Sequence, residues 1–196
     1  MKFTIVGLGN PGEEYMHTRH NAGRLVVEAF EHMIGFGGFQ EDKKSKSLVA
    51  KGSVGKHTAT LVLPETFMNK SGSAVVTFIP SVKAAERLIV VYDDIDLPFG
   101  QLRISYGRGS GGHKGIESIV RSLKTKDFVR IRVGVAPTTP SGKIKKPQGE
   151  QKVHDFLLGE FTKKEQESLK SILKKTTAAT ETIIDQGRVP AMNQFN

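Results

Sequence analysis

The sequence predicts a single-domain α/β protein, with a twisted, mixed and mostly parallel sheet flanked by helices on both faces. Short apolar runs rich in β-branched residues alternate along the chain with segments whose apolar residues recur about every 3.6 positions. No internal repeat and no break in composition marks a second domain. A chain of 196 residues with 37% hydrophobic content can bury about 70% of its unfolded surface in one domain. We therefore expect one domain over residues 1–196.

Six segments are predicted to be β-strands, because each is short and apolar and is bounded by turn residues. They are Phe3–Val6, Leu48–Val54, Thr58–Leu63, Leu88–Tyr92, Gln101–Ser105 and Phe128–Val135. The first strand leads directly into a glycine-rich turn. The polar groups after it should lie at the end of a buried strand, where α/β proteins place their chemistry.

Four segments are predicted to be helices from the spacing of their apolar residues. They are Ala22–Ile34, Ser71–Ile79, Ile116–Leu123 and a long C-terminal helix over about residues 163–185. Gly35 is a plausible stop for the first helix. Thr162 and Glu165 have the spacing of a capping box, which supports the start of the last one.

Two segments, Gln40–Ser47 and Thr138–Gln151, lack periodicity and are rich in Lys, Ser, Gly or Pro. We expect both to be exposed, mobile loops. The basic loop over residues 138–151 could close over the backbone of a substrate, and it could equally be a solvated connection.

The composition excludes several classes of protein. The chain has no cysteine, which rules out disulfides, thiolate metal sites and a cysteine nucleophile. No apolar run approaches about 18 residues, so no transmembrane segment is expected. The first apolar run ends at Gly7 before a secretory apolar region could form. We expect a cytoplasmic protein.

The charge balance points to an anionic partner. The chain has 29 Lys and Arg against 20 Asp and Glu, a net charge of +9. Nucleic acid fits this balance, because each phosphate contact releases counterions. A merely solubilising surface is the alternative.

The pattern G-x-G-x-x-G is present in Gly7, Gly9 and Gly12, so a dinucleotide site must be considered. Such a site needs its helix to start inside the glycine run, so that the helix N-terminus faces the pyrophosphate. Pro11 removes one backbone donor here, and the helical period begins only at Ala22. We therefore expect no nucleotide cofactor.

Water is the remaining nucleophile, because the chain lacks the signatures of serine hydrolases, zinc proteases and phosphate loops. His20 can deprotonate water near neutral pH. Asp93 follows the strand ending at Tyr92, where it could meet His20 and fix its tautomer. The alternatives are a solvated acidic turn or a hard-cation site built from Asp93, Asp94 and Asp96.

Four further polar residues invite more than one interpretation. The amides of Asn10 and Asn69 can hold a peptide group without carrying charge, but Asn10 could simply form a turn and Asn69 could cap a helix. His113 lies between glycines, where a solvent-facing or helix-entry role is favoured over catalysis. His17 lies three residues before His20, but the pair lacks the further ligands that zinc needs, and no metal is expected.

Seven stretches, in the same order along the whole chain, match one known family. They are Val6–Gly12, Tyr15–Gly23, Phe67–Gly72, Asp93–Gly100, Gly111–Gly115, Phe128–Gly134 and Ala191–Asn196. On these motifs the chain resembles bacterial peptidyl-tRNA hydrolases. The resemblance implies hydrolysis of the ester between a peptide and the 3′ ribose of tRNA, without a cofactor, by a monomer with no obligate protein partner.

The resemblance also implies roles for individual residues. His20 and Asp93 would be the catalytic pair. The residues that would contact the substrate are Asn10, Tyr15, Met68, Asn69 and Lys114. The residues that would bind tRNA are Arg103, Arg108, Arg130 and Arg132, of which the last two share one face of a strand.

Two positions depart from the family pattern. Lys114 stands where these hydrolases usually carry asparagine, and it replaces a neutral donor and acceptor by a cation that only donates. If Lys114 projects towards His20, its charge should lower the pKa of the histidine and slow turnover. Ser105 lies where many relatives have a cation. Lys114 gives some weight to the alternative of a non-catalytic RNA-binding protein on the same fold, like the plant splicing factors that resemble these hydrolases, but the resemblance as a whole favours the hydrolase.

Overall fold

The computed structural model describes residues 1–196 and is built around one seven-stranded sheet. The strands are β1 (Lys2–Gly7), β2 (Gln40–Asp42), β3 (Ser47–Val54), β4 (His57–Pro64), β5 (Leu88–Pro98), β6 (Leu102–Tyr106) and β7 (Val129–Ala136). Their order is β2-β3-β4-β1-β5-β7-β6. The three pairings among β4, β1, β5 and β7 are parallel, and the three outer pairings are antiparallel. The α/β fold and the mixed sheet are confirmed, with the parallel pairings confined to the centre.

Six α-helices surround the sheet. They are α1 (Ala22–Ile34), α2 (Ser71–Val75), α3 (Lys114–Leu123), α4 (Glu150–Leu158), α5 (Lys163–Gln186) and α6 (Arg188–Phe195). None of them is both long and apolar enough to cross a membrane.

Alternate residues of the central strands belong to two separate buried clusters, as the period-2 geometry of a strand requires. Ile5 and Ile89 pack in the cluster that includes α1 and α5, whereas Val6 and Val90 pack in the cluster that includes α3. Both faces of the sheet are therefore covered by helices, as predicted.

Three short elements were not predicted. The segment expected to be a loop over residues 40–47 contains β2, which pairs with β3 through a tight turn in which Lys46 has φ 51°. Helices α4 and α6 also lie outside the predicted helices, and α4 has no buried residue. Their apolar residues are too few to produce a clear period, so tertiary contacts decide their structure.

The start of α1 is set by close contact with the sheet. A side chain on Gly23 would place its Cβ 2.2 Å from the carbonyl oxygen of Val91 in β5. Glycine at this position therefore lets the first turn of α1 touch β5. The helix ends at Ile34, followed by Gly35 in the left-handed conformation with φ 79°, as predicted.

Candidate active site

His20 and Asp93 form a hydrogen-bonded pair at the carboxyl ends of the central parallel strands. His20 lies in a 3-10 turn (Arg19–Asn21) directly before α1, and Asp93 lies on β5. The imidazole Nδ1 is 2.9 Å from Asp93 Oδ1. The side chains are 14% and 1% exposed. The structure thus brings together two residues that are 73 positions apart in the sequence.

Each member of this pair shifts the pKa of the other. Burial lowers the pKa of His20, but the negative charge and hydrogen bond of Asp93 outweigh it and raise the pKa above its ordinary value of 6.5. Burial raises the pKa of Asp93, but the two imidazoles beside it bring the pKa well below its usual range. Asp93 is therefore a carboxylate that only accepts, so neutral His20 carries its proton on Nδ1 and leaves Nε2 free.

Arg19 anchors the turn that carries His20. Its guanidinium Nη2 lies 2.7 Å from Glu165 at the first turn of α5, and its Cζ lies 4.5 Å from the centre of the Phe156 ring. The side chain is 9% exposed. Because both partners belong to the C-terminal helices, the position of His20 depends on segments far away in the sequence.

His113 is the functional candidate that sequence reasoning missed. Its Nε2 lies 3.1 Å from the same oxygen of Asp93 that contacts His20. The predicted helix-entry role is also present, because its Nδ1 accepts from Ile116 N at the start of α3. The sequence did contain a signal for a role in the site, since a histidine that ends a glycine loop and caps a helix can point back at the edge of the sheet.

Asn10 is tied to both sides of the site by its own hydrogen bonds. Its Oδ1 accepts from Met68 N at 2.9 Å, and its backbone exchanges two bonds with the side-chain amide of Asn21. Asn21 was not singled out from the sequence, although it stands directly beside His20. Because Oδ1 is occupied, the Asn10 NH₂ group is the part of the side chain without a hydrogen-bond partner in the chain.

The other predicted substrate residues occupy different positions. Met68 is buried, and its sulfur lies against Gly115 at the start of α3. Tyr15 is half-buried, while the side chains of Asn69 and Lys114 are exposed. Neither Tyr15 nor Asn69 lines the large cleft beside His20, whereas Lys114 does.

A cleft of about 820 Å³ opens beside His20 and Asp93. Its cationic side chains are Arg103, Arg108, Lys114, Arg132 and Lys146. Two of them are neutralised, since Arg132 pairs with Asp94 and Lys146 pairs with Asp96. Arg103, Arg108 and Lys114 form no salt bridge and are exposed. The cleft therefore keeps free positive charge along one wall.

The expectation that Arg130 touches RNA does not agree with its position. Arg130 does share a strand face with Arg132, but it is fully buried. Its Nη1 donates to the carbonyl of Gly109 at 2.7 Å, and its Cζ stacks 4.7 Å from the ring of Phe128. The glycine-rich loop folds over this position, so Arg130 supports the loop from below.

The expected effect of Lys114 on His20 is also not found. The pKa of His20 is raised, and the group that raises it is Asp93. Lys114 is the first residue of α3 and its side chain is exposed. Water around an exposed cation screens its field, which explains the weak influence.

The chemistry of the donor atoms does not favour a metal ion. Donor atoms of His20, Asp93 and His113 lie within 4.8 Å of one another. The Nδ1 of His113 accepts a hydrogen bond, so its Nε2 carries the proton and offers no lone pair to a metal. Asp94 and Asp96 point to cationic side chains and do not converge with Asp93. The alternative of a three-aspartate site is thereby disfavoured.

The first glycine turn packs against protein and not around an open phosphate site. Leu8 N donates to Val91 O, and Arg24 N donates to Leu8 O. A Cβ on Gly9 would lie 2.9 Å from the side chain of Asn21. The helix begins at Ala22, as predicted, and its first turn packs directly against the glycine run, which leaves no room for a pyrophosphate between them.

Comparisons with known proteins agree with one another. Residues 4–196 match the family model described as peptidyl-tRNA hydrolase. The peptidyl-tRNA hydrolase of Syntrophotalea carbinolica is 39% identical over 98% of this chain and 95% of its own length. That of Mycobacterium tuberculosis is 37% identical over 98% and 96%. A crystal structure of peptidyl-tRNA hydrolase from Acinetobacter baumannii has a TM-score of 0.85 and 34% identity, covering 99% of this chain and 94% of the other.

Proposed function

This chain belongs to the peptidyl-tRNA hydrolase family and hydrolyses the ester of peptidyl-tRNA, and on that premise we propose that His20 and Asp93 are its catalytic pair. The observation that carries the proposal is the 2.9 Å contact between His20 Nδ1 and Asp93 at the wall of a cationic cleft. The contact leaves Nε2 of His20 as a base that faces the cleft.

The reaction follows from this geometry. Nε2 of His20 takes a proton from a water molecule as its oxygen attacks the carbonyl carbon of the ester. The bond between that carbon and the 3′ oxygen of the ribose then breaks. The imidazolium returns the proton to the leaving 3′ oxygen, which yields a free peptide acid and a free tRNA. Asp93 stabilises the imidazolium between the two steps.

Asn10 selects a peptide over a free amino acid. Its free NH₂ group can donate to a peptide carbonyl. Asn10 accepts from Met68 N, and Asn69 follows Met68 in the same 3-10 turn, so these peptide contacts lie beside the cleft that holds His20 and not inside it. An aminoacyl-tRNA would bring an α-ammonium group to this neutral amide, where a buried charge would find no partner. The substrate class is therefore an N-blocked aminoacyl ester of tRNA.

N-acetyl-aminoacyl-tRNA tests the assignment in the presence of a chelator. We expect the purified protein to release tRNA from this substrate at a rate that EDTA does not change, because no step needs a metal. The free aminoacyl-tRNA should be cleaved more slowly by a factor of about 100 or more. A wild-type protein that leaves the acetylated substrate intact, while a known hydrolase cleaves it, would overturn the proposal.

The tRNA lies along the cationic wall of the cleft. Arg103, Arg108 and Lys114 supply free charge there, and Arg132 adds a guanidinium that is shared with Asp94. Arg130 acts indirectly, because it holds Gly109 in the loop that carries Arg108. These contacts fall on phosphates, so they position the acceptor stem without reading its sequence.

The double variant Arg103→Gln with Arg108→Gln tests this wall. Binding of tRNA should weaken, and the slope of log affinity against log salt should fall by about two, since each lost phosphate contact lowers it by about one. Fluorescence anisotropy over a salt series measures both quantities. Lys174→Gln on the exposed surface of α5, away from the cleft, serves as the matched control. Equal slopes for the double variant and the control would place the tRNA elsewhere.

The alternative of an RNA-binding protein without catalysis is not favoured, because the relatives and solved neighbours are hydrolases. We further propose that the enzyme works as a monomer in the cytoplasm. The site supports the first point, since His20, Asp93, His113 and Asn10 all come from one chain. The substrate supports the second point, because peptidyl-tRNA arises during translation.

A further inference from the structure

Asp93 depends on two imidazoles for its orientation. His20 Nδ1 and His113 Nε2 lie 2.9 and 3.1 Å from the same atom, Oδ1. Within the chain, these two bonds are the side-chain hydrogen bonds that Asp93 makes. Without His113, only the catalytic base itself would orient the carboxylate, which could then turn about its last torsion.

The hydrogen bond at the other ring nitrogen, Nδ1, determines the tautomer of His113. Its Nδ1 accepts from the backbone N–H of Ile116, because His113 is the N-cap of α3. A nitrogen that accepts carries no proton, so neutral His113 has its proton on Nε2. This nitrogen is the one that faces Asp93. His113 can therefore only donate to Asp93 and cannot act as a second base beside it.

Packing keeps the ring of His113 in place. The ring of Tyr92 meets it edge-on with 4.7 Å between centroids. A Cβ on Gly115 would lie 3.1 Å from His113 Cε1, which leaves little room for the ring to move in that direction. The side chain is 8% exposed. Its hydrogen-bond partners and neighbours therefore allow one orientation.

We propose that His113 is a positioning residue, which acts through Asp93 to set the orientation and the proton affinity of His20. This inference rests on the proposed roles of His20 and Asp93. The N–H group of His113 interacts with the negative charge on Asp93 Oδ1, which would otherwise act on His20 alone. Removal of that donor strengthens the pull of Asp93 on the His20 proton, so the base titrates at higher pH and loses its fixed direction.

Other charged groups near the pair stay constant in the test. Tyr92 on β5 packs against His113, and Lys114 follows it on α3. Glu117 lies one turn into the same helix. On the neighbouring strand β7, Arg132 is paired with Asp94 of β5. None of these groups is changed in the variants below.

Two variants separate the capping role of His113 from its bond to Asp93. His113→Asn keeps an N-cap acceptor, but its side chain is too short to reach Asp93. His113→Gln loses the cap and keeps an N–H donor at about the position of the imidazole Nε2. Ser81→Ala removes the side-chain acceptor of Ala84 N in the 3-10 turn before β5, at the opposite end of that strand from Asp93, and controls for the loss of a cap alone.

NMR titration of the His20 ring and the pH profile of kcat/KM provide the readout, together with thermal unfolding. We expect His113→Asn to lower kcat by about 10- to 100-fold, to change KM little, and to move the titration of His20 to higher pH. His113→Gln should recover most of kcat and the wild-type titration. Ser81→Ala should affect only thermal unfolding.

Two results would overturn the inference. One is a His113→Asn protein with wild-type kcat and wild-type titration of His20. The other is equal damage in both variants with an unshifted titration, which would leave capping as the only role. Because the titration needs no turnover, it stays informative even if His20→Ala were to remain active and the proposed catalytic pair were to fail.

Discussion

Replacing His20 by alanine is expected to lower kcat for N-acetyl-aminoacyl-tRNA by about 10³- to 10⁴-fold. In the proposed mechanism, the variant removes the group that accepts the proton of water and returns it to the leaving ribose. Binding of tRNA should persist, because the free cations of the cleft are untouched. Single-turnover hydrolysis and tRNA anisotropy measure the two effects separately.

His17→Ala is the matched control for this variant. His17 is exposed and lies three residues earlier, outside the cleft, so its loss should leave hydrolysis within about twofold. A His20→Ala protein that retains more than about a tenth of the wild-type rate would contradict general-base catalysis by this residue.

The wild-type enzyme should show the corresponding pH dependence. His20 works only when it is unprotonated, and Asp93 raises its pKa above 6.5 against the effect of burial. The value of kcat/KM should therefore rise with pH through a midpoint above 6.5 and then level off.

Asp93→Asn is expected to cause the second-largest loss, about 10³-fold in kcat. The carboxamide has the same shape as the carboxylate, but it has no charge to stabilise the imidazolium. It can also turn its NH₂ group towards His20, which would favour the wrong tautomer. The site should stay folded, since no other side chain bonds to Asp93 than His20 and His113.

The sign of the pH shift distinguishes this variant from simple misfolding. Without the negative charge of Asp93, burial remains as the main influence and lowers the pKa of His20. The acid limb of kcat/KM should move to lower pH while the maximum rate falls. Asp185→Asn, at an exposed carboxylate on α5 outside the cleft, is the control and should shift neither quantity. An unchanged acid limb in Asp93→Asn would show that the pair is not coupled.

The sheet and its active edge could be predicted because their signals are local. Apolar runs such as Phe3–Val6 and Leu88–Tyr92 are long enough to specify buried strands. Polar residues that follow parallel strands meet at one edge, which is why His20 and Asp93 could be paired before any contact was known. The start of α1 at Ala22 and its end before Gly35 could also be predicted, because the helical period and the glycine stop are local features.

The missed elements have weak local signals. Strand β2 has only three residues, and none of them is buried. Helix α4 has no buried residue either. Their hydrogen bonds form because β3 and the turn before α1 offer a surface to them. No period in the sequence encodes that surface.

Arg130 and Arg132 mark the limit of sequence reasoning about the site. Alternation correctly put them on one strand face, but the glycine-rich loop covers one and leaves the other at the cleft. Whether a charged side chain reaches solvent depends on which segment folds over it. The path of a loop cannot be predicted from its sequence when the loop has no periodic pattern.

By itself the sequence determined the α/β class and the strand ends where polar residues gather, and it predicted His20 and Asp93 as a pair, because strands and the residues that follow them depend on short-range patterns of polarity. Only the tertiary structure decided that His113 shares an oxygen with His20, that Asn21 holds Asn10, and that Arg130 is buried. Those facts depend on distances between segments that are remote along the chain, and such distances are set by packing of the whole domain.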